Sequence, residues 1–267
     1  MDEVDAVDGV DGVDDRRPDR RPGPSPAVAI VVPARFASSR FPGKPLALVA
    51  GEPLIAHALR TAAQAARADR VVVATDDERI ARVARAAGAE VVMTDPDLPS
   101  GSDRVWAAAG DLHAAIIVNL QVDEPLLPGE VLDALVDALV ADPSADMATP
   151  VVASARSEAE SSDIVTVARD EDGTARYFSR SVIPWGADPV WRHVGVYAYR
   201  HDALRRYVGA PPSGLERQER LEQLRALSLG LRIAVVEVDI ASHAVDRPED
   251  VAAVEALLRA RSGRPPV

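Results

Sequence analysis

The chain has 267 residues, enough for one large domain or two modest ones, and 47% of them are apolar. Its 42 acidic residues outweigh 30 basic ones, a formal charge of -12 that argues against nucleic acid as the main partner. An anionic ligand would need a local cluster of cations and backbone donors. The absence of cysteine excludes disulfides, thiolate catalysis and cysteine-ligated zinc.

Residues 1–26 stand apart. Val4 to Asp15 repeats a three-residue Val-Asp unit that fits neither strand nor helix, and Arg16 to Pro26 alternates Arg and Pro without apolar anchors. The stretch is expected to be a disordered acidic tail, followed by a single domain over 27–267. No apolar segment in the tail suits a secretion signal, and no run approaches the roughly 18 residues of a membrane span. A cytoplasmic location, with no membrane partner, is therefore expected.

Val28 to Val32 reads as a buried strand. It breaks into a loop carrying Arg35, Ser38, Arg40, Gly43 and Lys44, and a helix is predicted over Pro53 to Ala66. A strand, then a loop with cations and glycine, then a helix places positive charge and free N–H groups where a phosphate can sit. Lys44 is the sole lysine; every other basic residue is arginine. A compact ammonium there differs from a planar fork, and phosphate sites use that difference.

A strand over Arg70 to Ala74 follows, then a helix over Asp77 to Ala87 that Thr75 or Asp76 could cap. Glu90 to Met93 is a short strand, and Ser102 to Gly110 a helix. Ala115 to Leu120 is another buried strand, running into Gln121-Val122-Asp123-Glu124-Pro125. Pro128 to Val140 is helical and Met147 to Val152 extended. This alternation predicts an α/β, Rossmann-like fold, a mostly parallel sheet with helices on both faces. Ligands in such sheets bind beyond the carboxyl ends of the strands, where the Arg35–Lys44 loop and the Gln121–Glu124 turn both fall.

From Asp163 the rhythm changes to a mixed β extension. Strands are predicted at Ile164 to Ala168, Ala175 to Phe178 and His193 to Tyr199. Helices follow at His201 to Tyr207 and Leu215 to Leu227, then a strand at Arg232 to Val238 and a helix at Pro248 to Arg261. No Walker A and no G-x-G-x-x-G pattern is present.

Several segments in order carry a resemblance: PARFASSRFPGKPL, ATDDERIA, SGSDRV, NLQVDEPLL, YFSRSVIPW, RHVGVYAYR, LEQLRAL and VDRPED. They resemble the 3-deoxy-manno-octulosonate (KDO) cytidylyltransferases, which join a sugar acid to CMP, over about residues 27–260. The resemblance implies a nucleotidyltransferase fold, CTP and an anionic acid as substrates, Mg²⁺ as cofactor and a homodimer. It implies that 163–200 and 201–245 carry the acceptor side and a dimer contact. It assigns Arg35, Ser38, Lys44 and Arg104 to the nucleotide, with Lys44, Arg35 and Asp123 as the catalytic set. Asp123 and Asp246 would bind the metal, and Gln121, His193, Tyr197, Glu216 and Arg217 would face the acceptor.

The residues themselves leave alternatives open. Asp123 directly follows a buried strand, where a carboxylate is costly unless it meets a cation. Asp246 could cap the last helix as well as hold a metal. His193 could be a satisfied core histidine, Tyr197 packing, Arg104 a partner of Asp103 or another acid, and Arg40 one half of a surface ion pair.

Three departures from the family pattern gather on the acceptor side. Its QGDEP reads with Val122, its Asn-x-Val-Lys reads Asp163-Ile164-Val165-Thr166, and its Pro-Leu-Glu-His reads Gly214-Leu215-Glu216-Arg217. A β-branched residue in place of glycine and an added Arg suit a smaller, more charged acceptor. The expected acceptor is therefore a small phosphonate such as phosphonoformate, as in phosphonate-antibiotic biosynthesis, with KDO as the alternative. A non-catalytic nucleotide-sensing module is the competing reading of another class.

Overall fold

The computed structural model describes residues 26–37, 40–161, 163–241 and 243–261. The expected tail falls almost wholly outside them, as does Ser38. The first half runs β1 (Val28–Ala34), the small hairpin β2 (Leu48–Val49) and β3 (Glu52–Pro53), α1 (Leu54–Gln64), β4 (Arg70–Thr75), α2 (Glu78–Ala86) and β5 (Glu90–Met93). It continues through α3 (Gly101–Ala109), β6 (Ile116–Asn119), α4 (Gly129–Ala141) and β7 (Met147–Ser154). The second half holds β8 (Thr166–Arg169), β9 (Ala175–Ser179), β10 (Val190–His193), β11 (Tyr197–Arg200), α5 (His201–Val208), α6 (Gly214–Glu219), α7 (Gln223–Ser228), β12 (Ile233–Glu237) and α8 (Asp250–Arg261).

One ten-stranded sheet takes the order β5-β4-β1-β6-β11-β7-β10-β8-β9, with β12 also on β7. Strands β5, β4, β1 and β6 are parallel, the α/β half that the alternation predicts. Beyond β6 the pairing turns mixed: β11, β10, β8 and β9 are antiparallel to their neighbours, while β12 runs parallel to β7.

Strand β1 is buried along its whole length, and its period of two builds both cores. Val28, Ile30, Val32 and Ala34 join Ile55 and Leu59 of α1, Ile80 of α2 and Leu132 and Leu135 of α4. Ala29 and Val31 face the other way, with Val105 of α3, Leu204 of α5 and Leu224 of α7. A third, smaller core of Val49, Leu54, Leu126, Val245 and Val254 seats α8 against the β2–β3 hairpin.

Two predicted elements are each divided in two. The strand expected over His193 to Tyr199 leaves the sheet at Val194–Val196, so β10 pairs with β7 and β8 while β11 pairs with β6 and β7. The helix expected over Leu215 to Leu227 is interrupted at Arg220, which takes a left-handed conformation (φ 57°). Periodicity sees the apolar spacing on both sides of such a break and not the break itself. The cap of α2 is Asp77, which accepts from Arg79 N–H, and not Thr75 or Asp76.

Candidate active site

The cleft lies beyond the carboxyl ends of β1, β4 and β6. After β1 the chain folds back on itself: Gly43 N–H donates to Phe36 O (2.9 Å) and Lys44 N–H to Phe41 O (3.1 Å). Gly43 sits at φ 72°, a left-handed conformation glycine adopts without a side-chain penalty, and a Cβ there would lie 3.1 Å from the Phe36 ring. The turn delivers Lys44 into the cleft, with its side chain only 14% exposed.

Lys44 meets two carboxylates. Its Nζ lies 2.7 Å from Asp123 Oδ2 and 3.5 Å from Asp246 Oδ1, and Arg40 adds a guanidinium 3.6 Å from Asp246 Oδ2. Asp123 comes from the turn after β6. Asp246 comes from 123 residues later in the chain, and the two segments are stitched by Val245 N–H donating to Asp123 O (2.9 Å). Asp246 and Arg247 N–H both donate to the carboxylate of Asp250 at the start of α8 (2.8 Å each), which fixes the backbone at Asp246. The Asp246 carboxylate is left facing Lys44 and Arg40.

A cavity of about 270 Å³ joins Arg35, Arg40, Lys44, Arg104, Gln121, Asp123, Asp246 and Glu222. Arg104, on α3, is 2% exposed; it bonds to Thr94 Oγ1 and lies 3.5 Å from Asp76 Oδ2. Its partner is thus Asp76 and not Asp103, which is engaged with Ser100 at the start of α3. Burial holds the Arg104 guanidinium below its ordinary pKa, Asp76 pulls it back up, and the neighbouring Arg35 lowers it further. Asp76 also accepts from Phe36 N–H (3.1 Å), tying the β4 edge to the phosphate-type loop. One Arg104 terminal nitrogen has no hydrogen-bond partner, so the cleft offers a buried donor that a ligand can satisfy.

A second cavity, about 360 Å³, opens off the first and shares Gly101, Gln121, Asp123, Glu222 and Asp246 with it. His193, Tyr197, Tyr199, Tyr207, Arg180 and Gln223 are also part of its wall. His193, Tyr197, Tyr199 and Tyr207 form a ladder of tilted rings with centroids 5.4 to 5.9 Å apart. Thr149 Oγ1 is 2.9 Å from His193 Nε2 and 2.8 Å from the Val196 carbonyl oxygen. A carbonyl only accepts, so the assignment satisfying all three has His193 Nε2–H donating to Thr149 and the hydroxyl donating to Val196. Burial pushes the His193 pKa down to about 3, so the ring is neutral at working pH with Nδ1 as an acceptor.

Of the residues expected at the acceptor, Gln121, His193 and Tyr197 line this second cavity, and Glu216 and Arg217 do not. Glu216 is buried (8% exposed) in a bidentate pair with Arg225, Nε to Oε2 2.9 Å and terminal nitrogen to Oε1 2.6 Å, and it closes the capping box of α6 with Ser213. The Glu216 carboxylate thus serves a buried Arg and a helix cap and lines neither cavity. Arg217 is exposed and donates to Pro212 O. Thr166 is buried, accepting from Ile183 N–H (3.0 Å) and lying 2.8 Å from Ser181 O. Val122 packs in the core with Leu120 and Leu127 and lines only the first cavity.

Gly101, Glu222 and Gln223 lie in the segments SGSDRV and LEQLRAL, yet neither spacing nor periodicity marks them as lining groups. The left-handed turn at Arg220 aims Glu222 into the cleft, and no residue type announces that turn. Ser102 Oγ–H donates to Glu222 Oε2 (3.2 Å), and protein packed around the carboxyl group raises its pKa.

Among the described residues no group of three or more His, Cys, Asp or Glu is arranged to hold a metal, but the Asp123–Asp246 pair suits magnesium. Mg²⁺ is typically held by one or two carboxylates, with waters and substrate phosphates filling the octahedron. Lys44 lying between the two carboxylates marks a position where cationic charge is stabilised.

The general model of the cytidylyltransferases matches residues 29–233. A 3-deoxy-manno-octulosonate cytidylyltransferase of Bdellovibrio bacteriovorus is 45% identical over 240 residues, covering 85% of this chain and 96% of that protein. One from Nitratidesulfovibrio vulgaris is 47% identical over 244 residues, covering 87% and 96%. The chain belongs to the 3-deoxy-manno-octulosonate cytidylyltransferase family. A solved CMP:2-keto-3-deoxy-manno-octonic acid synthetase complexed with CTP shares 38% identity and superposes with a TM-score of 0.83, covering 88% of this chain and 99% of that one. The cytidylyltransferase described here is thus an α/β nucleotidyltransferase with a parallel core and a mixed extension. No helix among its described residues is long and apolar enough to cross a membrane.

Proposed function

We propose that this enzyme transfers the cytidylyl group of CTP to a hydroxyl of 3-deoxy-manno-octulosonate, and not to a small phosphonate. The reading rests on one observation: of the departures that pointed to a small acceptor, Val122, Thr166 and Arg217 sit outside the acceptor cavity, and Asp163 lines an adjoining cavity of about 630 Å³ with His193, Gly195 and Asp246. Val122 packs in the core, Thr166 serves the β8–β9 extension, and Arg217 bonds to Pro212 at the surface. The cavity they were expected to narrow keeps about 360 Å³ and a wall of ring and amide groups suited to a polyhydroxylated acid. The curated relatives of 45–47% identity bear the name of the same sugar acid.

In this reaction the acceptor oxygen bonds to the α-phosphorus, the bond to the bridging β-phosphate oxygen breaks, and pyrophosphate leaves while the hydroxyl proton passes to water. Arg35, Arg40, Lys44 and Arg104 neutralise the triphosphate and orient it; the Ser38 expectation lies outside the described residues. Asp123 and Asp246 would hold Mg²⁺, which supplies charge neutralisation at the phosphates when bound. Gln121, neutral His193, Tyr197, Glu222 and Gln223 position the acceptor, so that most of the barrier is lowered by holding two anions together. Residues 27–267 acting as one folding unit, and as a homodimer, complete the proposal; the single ten-stranded sheet supports the first. Pyrophosphate release with CTP and Mg²⁺, run in parallel with KDO and with phosphonoformate, tests the acceptor. Turnover with KDO is expected, and turnover with phosphonoformate alone would overturn it.

A further inference from the structure

We infer that the buried Glu216–Arg225 ion pair is a positioning device that sets Glu222 and Gln223 in the acceptor cavity through Tyr207. The pair itself touches neither cavity. Arg225 lies on α7, and its guanidinium is held bidentately by Glu216 of α6 while stacking over the Tyr207 ring, 4.7 Å from its centroid. Tyr207, on α5, donates its hydroxyl hydrogen to the Glu222 carbonyl oxygen (3.0 Å).

The residues between the partners are those that face the cleft. Arg220 turns the chain left-handed, Leu221 N–H donates back to Glu216 O (3.3 Å), and Arg220, Leu221, Glu222 and Gln223 all line the acceptor cavity. The other end of α6 is fixed to β9, where Ser179 Oγ–H and Arg180 N–H donate to the Glu219 carboxylate (2.9 and 3.1 Å). A short loop clamped at both ends by charge-assisted bonds has few ways to redirect its side chains. Breaking a buried pair on one side leaves an uncompensated charge, so the clamp is either intact or lost. The carboxylate at Glu216 therefore acts at one remove from substrate. It is a positioning residue.

This inference deepens the acceptor reading above and concerns the same cavity. Its test uses R225K, which keeps the charge and loses the fork, and E216Q, which keeps the shape and loses the charge, with KM for acceptor and CTP measured separately alongside thermal melting. Loss of one such bond is expected to raise the acceptor KM about fivefold, with CTP KM and kcat within twofold. An unmoved acceptor KM in both variants overturns the inference. So does a joint rise of both KM values tracking a lower melting temperature, which is what a purely structural pair would give. If the wild-type enzyme ignores KDO, the acceptor reading fails on its own, and the same two variants are compared with whichever acid turns over.

Discussion

The two cavities of this cytidylyltransferase handle charge in opposite ways. On the nucleotide side the charged groups face the cleft and share their partners. Lys44 divides itself between Asp123 and Asp246, and Arg40 reaches Asp246 at 3.6 Å, contacts that an arriving triphosphate and metal can exchange. On the acceptor side the strong pair, Glu216 with Arg225, is locked at 2.6 and 2.9 Å behind the wall, and the surface offered to substrate adds rings, amides, Arg180, Arg220 and Glu222 to the shared carboxylates. The difference teaches where charge is chemistry and where it is scaffold. Ion pairs that a ligand must displace are monodentate, shared and open to the cleft; the ion pair that aims other residues is buried and bidentate.

The largest expected effect breaks the nucleotide side. D123N should lower kcat by about a thousandfold or more, in keeping with removal of a group that stabilises transferring charge, while the melting temperature holds or rises. K44M should cost about a hundredfold in kcat on the same grounds, measured as pyrophosphate release at saturating CTP and Mg²⁺. If K44M retained wild-type turnover, the exchangeable-cation picture would be wrong. Next comes the turn that delivers Lys44: G43A should destabilise the fold by about 1–2 kcal/mol, from the left-handed backbone it must adopt, and raise KM for CTP.

A pH measurement sharpens the acceptor side. The unfolded-state imidazole titrates near 6.5, whereas the folded one is held down to about 3 by burial. Below about pH 6.5 the unfolded chain therefore binds a proton that the folded protein refuses, and stability falls as pH drops through that window towards 3. H193Q should flatten this part of the denaturant-derived stability curve. A slope identical to wild type between pH 6 and 4 would mean the ring is charged in the native state. The smallest effect concerns the three departures. V122G, T166K and R217H should each leave the ratio of KDO to phosphonoformate turnover within about twofold, since none of the three lines the acceptor cavity. A switch of acceptor in any of them would restore those residues to the substrate pocket.

The parallel half of the fold was legible because β1 alternates between two cores and each helix carries its own apolar stripe. The break in the strand between His193 and Tyr197 was not, since a run of apolar and aromatic residues looks the same whether it stays in one strand pairing or changes pairing at Gly195. On the nucleotide side the residues on loops at strand ends could be read in place: Arg35, Lys44 and Asp123 converge there, joined by Arg104 from α3. Glu216 was misassigned because a glutamate three residues into a helix is both a cap and a ligand by type, and only the position of Arg225 decides. Glu222 was overlooked because a left-handed arginine, Arg220, decides where it points.

The bond from Val245 N–H to Asp123 O bears on the order in which the molecule comes into being. All ten strands of the sheet have been synthesised by Glu237, nine residues before Asp246. A nascent chain can therefore own a finished sheet and the arginines of the nucleotide side while its second carboxylate is still inside the ribosome. This order predicts nucleotide binding before catalysis, with the arrival of Asp246 completing the carboxylate pair. Released chains truncated before Val245 should retain CTP affinity and release no pyrophosphate, and turnover by such chains would contradict this order.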